Sequence, residues 1–365
     1  MDEAGRFYEQ ESRARSTHLA LRWKGRVRYT VPREAAGQQA CWTVFKPGSL
    51  EWPLRVLAHL PCAFGSINCS EGDAIASMRE AIGADAGLSC CRTGAEGVWS
   101  KDTILFLDEK LFTPLYIVKA GTGKAVDALL DNEAQWLRRL RGHASLVAHI
   151  PELVAHRPGT DICFVGQRAL RGNIDFRLGT AQFDFLLKLQ GVSAQSMHYE
   201  NSKLHATLTS RVADLQGHVD EAWSRRLNAG VKRVEEALSA LPVWFVSAHK
   251  DFTPWNVRIE KGIAKVFDWE FADEEQLPLF DALHFALTPM ALKNQTRERI
   301  VKGISSTVAQ CRTVFQGHFC FEGEIQALAY LLSVCLFYLS SVQGKYDSHP
   351  VLDNYALVID HLCAS

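Results

Sequence analysis

Four polar residues placed around two apolar segments constrain this chain more than any other feature. His249, Asp251 and Asn256 follow one apolar segment in the spacing H-x-D-x-x-x-x-N, and Asp268 directly follows the next one. Both segments are short and rich in β-branched or aromatic residues, which predicts strands. Ordinary polar loop residues would produce the spacing alone fairly often. Two flanking strands and a closing Asp make chance a poor explanation, so we predict one site that contains all four residues.

The same spacing is found in the catalytic loop of kinases, where a later Asp provides a metal carboxylate. A carboxylate beside a hydroxyl acceptor can orient it and accept its proton, which is the expected role of Asp251. Magnesium prefers hard oxygen ligands and keeps several waters, so Asn256 and Asp268 are the expected metal ligands. We group His249 with Asp251 as a catalytic-loop residue. We expect it to be a structural pin that points back into the loop rather than a base.

Two neighbouring stretches extend this pattern. They run from Val266 to Ala272 and from Pro278 to His284. Together with the loop from His249 to Asn256, they resemble the aminoglycoside phosphotransferase and choline kinase group of the protein-kinase-like superfamily. The resemblance covers residues 87–285. It implies a two-lobed fold, ATP as phosphoryl donor, Mg²⁺ as metal, and a buttressing role for Asp281 beneath the loop.

Two charged residues earlier in the chain occupy otherwise apolar positions. Lys119 lies in a predicted strand, and Glu133 lies on the apolar stripe of a predicted helix. A buried ammonium must find an anion, so we predict a pair. The pair resembles the Lys and Glu that hold the α- and β-phosphates in kinases. Two alternatives stay open: Lys119 could reach solvent at the strand end, and Glu133 could be exposed on a slightly rotated helix.

Two further nucleotide contacts are expected in the same region. Gly94 and Gly97 lie between two predicted strands, where backbone amides could approach phosphate oxygens. Their G-x-x-G spacing also fits an ordinary hairpin turn. The resemblance places the hinge between the lobes at Gln167 to Ala169, whose backbone would pair with the purine edge.

Hydrophobic periodicity divides the chain into three regions. Residues 1–86 are an N-terminal extension of unknown role, residues 87–172 a β-rich nucleotide-binding lobe with one helix, and residues 173–365 a mostly helical lobe with the catalytic loop and acceptor site. The expected fold class is α+β, in a protein-kinase-like two-lobed arrangement. The predicted strands are Arg26–Val31, Ala40–Phe45, Leu88–Arg92, Thr103–Leu107, Leu115–Ala120, Glu152–His156, Ile162–Gly166, Trp244–Ala248 and Ile263–Phe267. The predicted helices are Leu54–Leu60, Asp73–Ile82, Ala125–Arg141, Phe183–Gln190, Leu204–Leu241 with breaks or bends at Gly217 and Gly230, and further helices after Arg297.

Composition excludes several partners. With 40 Lys and Arg against 41 Asp and Glu, the chain has no global basic field to gather nucleic acid or anionic lipid. Its 10 cysteines contain no C-x-x-C pair, and several lie in apolar runs, which favours reduced core thiols over a zinc site. The N-terminus lacks the apolar core of a signal peptide, and the apolar run Ile325–Val342 is better explained as a buried helix. We therefore expect a cytoplasmic protein without stable membrane insertion.

The expected activity is transfer of the γ-phosphoryl group of ATP to a hydroxyl of a small molecule. Sugars, amino sugars and amino alcohols are the acceptor classes considered. The alternatives are a catalytically silent nucleotide-binding scaffold and a protein kinase. The complete set of expected site residues weighs against a silent scaffold. The chain lacks the A-P-E signature of protein kinases, which weighs against a protein kinase. Nothing in the sequence indicates the oligomeric state.

The sequence gives few signals for the residues that bind the acceptor. Lys250 stands where aminoglycoside phosphotransferases usually have Gly. It could contact the γ-phosphate or an acidic substrate, or face solvent, which we slightly favour. A cationic acceptor would need acidic or aromatic side chains, which could equally be solvated surface; the candidates are Asp220, Glu221, Trp223, Asp273, Glu274 and Glu275.

Overall fold

The computed structural model describes residues 6–24, 26–45, 66–83, 86–94, 97–319, 321–345 and 348–364. The chain divides into two compact units. Unit 1 comprises the chain up to residue 139 and residues 151–170, and unit 2 comprises residues 140–150 and 171–365. Strands predominate in unit 1 and helices in unit 2, which confirms the predicted α+β class.

An antiparallel sheet of nine strands forms the centre of unit 1. The strands are β1 (Tyr8–Gln10), β2 (His18–Trp23), β3 (Arg26–Pro32), β4 (Ser66–Glu71), β5 (Ala86–Arg92), β6 (Lys101–Asp108), β7 (Pro114–Gly121), β8 (Leu153–Arg157) and β9 (Cys163–Arg168). Their order across the sheet is β1-β4-β2-β3-β5-β6-β7-β9-β8. The predicted strands from Leu88 onward are all present, with ends shifted by a few residues.

The first four strands join the same sheet as the rest of unit 1. β3 pairs with β5, with Tyr29 opposite Arg92. The hydroxyl of Tyr8 lies 2.7 Å from the hydroxyl of Ser89, in the buried interior. The structure thus groups residues 1–86 with the region that follows, and no division between units falls near residue 86. The other expected boundary, after residue 172, lies next to the observed division after residue 170.

One predicted strand is wrong. The segment from Ala40 is the second half of a helix, α1 (Ala35–Phe45). Gln38, Cys41, Trp42 and Phe45 are buried, and their spacing is that of one helix face. A window that starts at residue 40 misses the first turn, so a helical stripe looks like a β-rich run.

The cysteines are not all reduced. Cys41 of α1 and Cys90 of β5 form a disulfide, with Cα atoms 6.4 Å apart. This corrects the expectation of reduced core thiols for these two residues. The prediction holds for others, such as Cys335, which is free and fully buried.

Two more helices pack in unit 1, α2 (Asp73–Ile82) and α3 (Lys124–Arg141). Both were predicted. Val126 and Leu130 of α3 pack against Cys163 and Val165 of β9, which seats the helix on the sheet. The predicted helix from Leu54 to Leu60 lies outside the described residues.

Unit 2 contains most of the helices. They are α4 (Thr180–Gln190), α5 (Lys203–Leu215), α6 (Glu221–Leu238), α7 (Phe280–Leu292), α8 (Arg297–Phe315), α9 (Gly323–Ser341) and α10 (Pro350–Ala364). Its strands are β10 (Gln195–Met197), β11 (Val243–Ala248), β12 (Val257–Glu260), β13 (Ile263–Val266) and β14 (Asp273–Gln276). β11 pairs with β10 and β14, and β12 pairs with β13 in a hairpin.

The two predicted glycine breaks have different outcomes. Gly217 has a φ of +79° and ends the first of two helices, so the long predicted helix is split there into α5 and α6. Gly230 lies inside α6 without breaking it. A Cβ at this position would come within 2.9 Å of Leu332, so the glycine permits close packing of α6 against α9.

By length and composition alone, the described helix α9 could cross a membrane. However, 67% of its apolar window is buried inside the protein. Burial of nearly every side chain of a helix is typical of the core of a helical unit. The predicted buried helix is therefore present, and α9 forms the centre against which other helices of unit 2 pack.

Candidate active site

The loop between β11 and β12, residues 249–256, is the predicted catalytic loop. Its first turn is held by Asp281 of α7, which is almost fully buried. The carboxylate accepts the His249 amide at 2.7 Å and the Lys250 amide at 2.9 Å. Burial raises the pKa of Asp281, although His249 and the two amides counteract this. The contacts agree with the buttressing role that the resemblance implied for this Asp.

His249 is a fully buried member of the loop. Its Nε2 lies 3.0 Å from the carbonyl oxygen of Phe267, and its Nδ1 lies 3.3 Å from the Asp251 amide. Because a carbonyl only accepts, we assign the ring proton to Nε2, so that Nδ1 accepts from the amide. Burial lowers the pKa of His249, which favours this neutral form. The ring therefore connects the loop to the end of β13, in agreement with a structural pin.

Asp251 is the part of the loop that reaches the surface. Its side chain is 31% exposed. One carboxylate oxygen accepts from Asn256 Nδ2 at 2.8 Å, and the other lies 3.3 Å from His284 Nε2. Bonds from two directions restrict the rotamers of the carboxylate. The result is an oriented and accessible carboxylate, which is what orientation of a substrate hydroxyl requires.

The two expected metal ligands lie next to each other across the β12–β13 hairpin. Val257 pairs with Val266, and the Phe267 amide donates to the Asn256 carbonyl at 3.2 Å. Asp268 follows directly, with a left-handed backbone at φ +75° and ψ +57°. A non-glycine residue in this conformation is uncommon and is enriched at functional sites.

The donor set suits a hard cation. Both recorded hydrogen bonds of the Asn256 carboxamide use Nδ2 as donor to Asp251. Within the described residues, no hydrogen bond engages its Oδ1, which is therefore available as a ligand atom. An amide oxygen and the carboxylate of Asp268 are ligands that Mg²⁺ prefers. Asn256 and Asp268 therefore fit a magnesium site.

In unit 1, Lys119 and Glu133 form the predicted ion pair. Lys119 Nζ lies 2.8 Å from both carboxylate oxygens of Glu133. Gln167 Nε2 donates to the same carboxylate at 2.7 Å. Glu133 is fully buried and the Lys119 side chain is 12% exposed, so both exposed alternatives are excluded. A bidentate contact with an additional amide donor satisfies the carboxylate well.

The structure uses Gly94 differently from the expected phosphate contact. The Gly94 amide donates to the buried carboxylate of Asp102 at 3.0 Å. A Cβ at this position would lie 2.1 Å from the Lys101 carbonyl oxygen, so close backbone approach accounts for the glycine. Gly97 has a φ of +142°, which favours glycine for conformation alone. The two residues between them lie outside the described part of the chain. The Gly94 amide is thus already occupied.

Two backbone amides of the expected hinge already donate hydrogen bonds within the protein. The Ala169 amide donates to the Leu115 carbonyl at 2.8 Å, and the Arg168 amide donates to the Glu152 carbonyl at 2.9 Å. Gln167 lies in β9 opposite Ile117, and its side chain contacts Glu133. A base contact by this segment would therefore have to use groups other than these two amides.

Sequence reasoning missed a hydrogen-bonded chain behind Asp251. His284 Nδ1 lies 3.2 Å from the hydroxyl of Tyr330, which lies 3.1 Å from the hydroxyl of Tyr355. All three side chains are buried. One signal was available: His284 follows Asp281 by three positions on α7, and such residues share one helix face. The partners on α9 and α10 have no local signal.

Lys250 does not simply face solvent, which the sequence had slightly favoured. Its side chain is 28% exposed, and Nζ lies 3.3 Å from Asp273. Its backbone is left-handed, at φ +65°. A glycine would adopt this conformation freely, whereas a lysine adopts it at a cost.

Comparison with known proteins agrees with this geometry. The sequence model of the phosphotransferase enzyme family matches residues 93–307, more than half of the chain. The chain belongs to this family. A search among curated proteins found no match.

Solved structures show the same fold. A choline kinase from Streptococcus pneumoniae superposes with a TM-score of 0.56 at 14% identity, over 80% of this chain and 99% of that one. A choline/ethanolamine kinase family protein from Mesorhizobium loti gives 0.55 at 16% identity, over 80% and 95%. A GDP complex of an aminoglycoside 2'-phosphotransferase gives 0.53 at 14% identity, over 80% and 96%. The predicted kinase-like fold and family are confirmed.

Proposed function

We propose that this phosphotransferase family member moves the γ-phosphoryl group of ATP to a hydroxyl of a small molecule. The observation that carries the proposal is the bonding of Asp251. Asn256 and His284 hold its carboxylate from two sides while leaving it partly exposed. A carboxylate that is oriented on two sides and still open to solvent can receive a substrate hydroxyl.

Asp251 would receive the acceptor hydroxyl on its exposed side and take up its proton during transfer. Asn256 and Asp268 would hold Mg²⁺, which supplies charge neutralisation on the phosphates when bound. Lys119, oriented by Glu133, would bind the α- and β-phosphates. His249 and Asp281 keep the loop in place without contacting substrate.

Membership in the family and the ADP and GDP complexes of fold neighbours support nucleotide binding. Sugars, amino sugars and amino alcohols are the acceptor classes that the family resemblance suggests. No observation favours a silent scaffold, because the expected phosphate, metal and base residues are all present.

Thermal unfolding with ATP, with and without Mg²⁺, tests the nucleotide and metal site. A ligand at about 100 times its Kd stabilises by roughly 2.7 kcal/mol. This corresponds to about 2–4 °C for a protein of such size. We expect a Mg²⁺-enhanced shift in the wild type that Asp268→Asn abolishes. The matched control is Asp161→Asn, an exposed carboxylate in a turn of unit 1, which should keep the shift. No shift at millimolar ATP or GTP would contradict the proposal.

A further inference from the structure

Three cationic side chains gather beside the catalytic loop in unit 2. They are Lys250 of the loop and Lys203 and Arg211 of α5, and we call them the basic cluster. Lys203 Nζ lies 2.9 Å from one oxygen of Asp273, and Lys250 Nζ lies 3.3 Å from the other. Arg211 is close enough to oppose the charge on Lys250 electrostatically. Three cations thus share a small region next to Asp251.

One carboxylate cannot balance this cluster. Asp273 is 13% exposed, and although burial raises its pKa, Lys250 and Lys203 lower it overall, so it is ionised at neutral pH. Its single charge serves two ammonium groups. Glu275 adds a second carboxylate, but this carboxylate accepts a hydrogen bond from the backbone amide of Lys203 at 2.8 Å. Among these five side chains, one positive charge is left over.

Arg211 carries the positive charge of the cluster that is least balanced by acidic side chains. Its guanidinium stacks over the ring of Phe337 at 5.9 Å, and burial lowers its pKa with no acid to offset the effect. In the part of the chain that the structure describes, no carboxylate lies within ion-pair distance of Arg211. A guanidinium stays charged at all ordinary pH values, and burying one without a partner is costly. An anion that binds beside it would remove this cost.

The cluster lies near Asp251. Lys250 directly precedes Asp251 in the chain. Phe337, under Arg211, directly precedes Tyr338. Burial is the main cause that raises the pKa of Tyr338, and the charge of Asp251 raises it further, so this ring is near the carboxylate. The left-handed backbone of Lys250 also places a lysine where glycine would be relaxed.

Two of the acidic residues considered for a cationic acceptor, Asp220 and Asp273, are otherwise engaged. Asp220 caps α6 by accepting the Trp223 amide at 2.7 Å, and Trp223 is buried under Arg226. Asp273 is bonded to two lysines. These side chains do not form an acidic pocket.

We propose that the acceptor carries an oxyanion, a carboxylate or a phosphate, in addition to its reactive hydroxyl, and that Arg211 and Lys250 bind it. This inference rests on the proposed phosphotransferase function. Arg presents a planar fork that matches both anions, and Lys adds a point charge. The same positive charge repels choline-like acceptors, which gives discrimination by charge.

The test compares four small hydroxyl compounds of different charge: glyceric acid, glycerol 3-phosphate, glycerol and choline. Each is titrated against the wild-type protein at fixed ionic strength in the presence of saturating Mg²⁺ and a non-hydrolysable ATP analogue, which blocks the nucleotide site. Thermal unfolding reports binding, and ADP release with ATP reports turnover. We expect the better of the two anions to bind at least 10-fold more tightly than glycerol or choline. The comparison of the two anions distinguishes a carboxylate from a phosphate.

Arg211→Gln and Lys250→Gln should each weaken anion binding about 10- to 100-fold, because each removes charge-assisted hydrogen bonds. With the anion as acceptor, each variant should raise the KM for the acceptor by a larger factor than it lowers kcat. Arg225→Gln is the matched control, since Arg225 is 75% exposed on α6, and it should change nothing. Arg211→Lys keeps the charge without the fork and should fall between the wild type and Arg211→Gln.

Equal or tighter binding of choline would overturn the inference. So would anion binding that survives both Gln variants, or no anion binding while the nucleotide analogue still stabilises the protein. In the last case the proposed phosphotransferase function stands. If the nucleotide does not bind but an anion does and Arg211→Gln abolishes it, the anion site stands and the phosphotransferase function falls.

Discussion

Unit 1 and unit 2 each contain a carboxylate held by several donors, but they treat it in opposite ways. Glu133 is fully buried and receives Lys119 and Gln167, so its charge is matched inside the protein. Asp251 is held by the Asn256 amide and the His284 ring rather than by a lysine, and it stays 31% exposed. The first arrangement fixes a cation in place. The second keeps a carboxylate oriented and open to a substrate.

The largest expected effect is a loss of turnover when Asp251 is replaced. Replacing Asp251 by Asn removes the proton acceptor and should lower kcat by about 10²–10⁴-fold, the usual contribution of a general base. ATP binding should stay intact. Steady-state ADP release with an identified acceptor measures this effect. A rate near that of the wild type would remove the proposed role of Asp251.

The next effect is on stability, and it concerns Glu133. Lys119→Met leaves a fully buried carboxylate without its cation, and breaking a buried pair costs about 3–5 kcal/mol. Urea unfolding measures the loss. Adding Glu133→Leu should recover much of it, because both charges are then gone. Lys232→Met is the control: its pair with Glu236 is exposed, so the change should be small. Equal losses in the two single variants would contradict the comparison.

A smaller effect should come from His284. Its replacement by Gln alters the donor to Asp251 and breaks the link to Tyr330, so kcat should fall by about 10-fold, the value of one hydrogen bond to a charged group. The KM for ATP should stay the same. Tyr330→Phe removes the hydroxyl that contacts both His284 and Tyr355 and should have a weaker effect on kcat in the same direction. A change confined to thermal stability would assign His284 a purely structural role.

The smallest effect is a pH dependence of stability from His249. Burial lowers its pKa in the folded protein, so the unfolded chain takes up the proton first as the pH falls. Stability from the neutral ring is therefore complete above about pH 6.5 and is lost as the pH falls below it, by at most about 1.4 kcal/mol per pH unit.

Urea unfolding between pH 7.5 and 5.5 should show a shallower slope for His249→Asn than for the wild type. Asp281 is present in both proteins, and burial raises its pKa, which acts in the opposite direction. Because His249 counteracts that rise, its loss raises the Asp281 pKa further and makes the slope of the variant shallower still. Parallel slopes would show that His249 does not titrate differently on folding.

Local patterns were sufficient for much of this protein. The spacing of the catalytic loop predicted where Asp251 and Asn256 lie, because both sit between two strands that the sequence marks clearly. The pairing of Lys119 with Glu133 followed from two charges on apolar faces, since a buried charge needs a partner. An error arose where the local period was cut short, as at Ala40. The phosphate contact expected of Gly94 and Gly97 stays a prediction, although the Gly94 amide already donates to Asp102.

The sequence by itself determined the α+β class, the family, the catalytic loop and the buried ion pair, because each depends on residues close in the chain or on one charge in an apolar pattern. Only the tertiary structure decided the rest. It joined the strands β1, β2, β3 and β4 to the sheet, gave the Gly94 amide to Asp102 and connected His284 to Tyr330. Among the described residues, it placed no carboxylate within ion-pair distance of Arg211. The physical reason is that side-chain partners across a fold are chosen by packing. Packing between distant segments produces no periodic pattern in the amino-acid sequence.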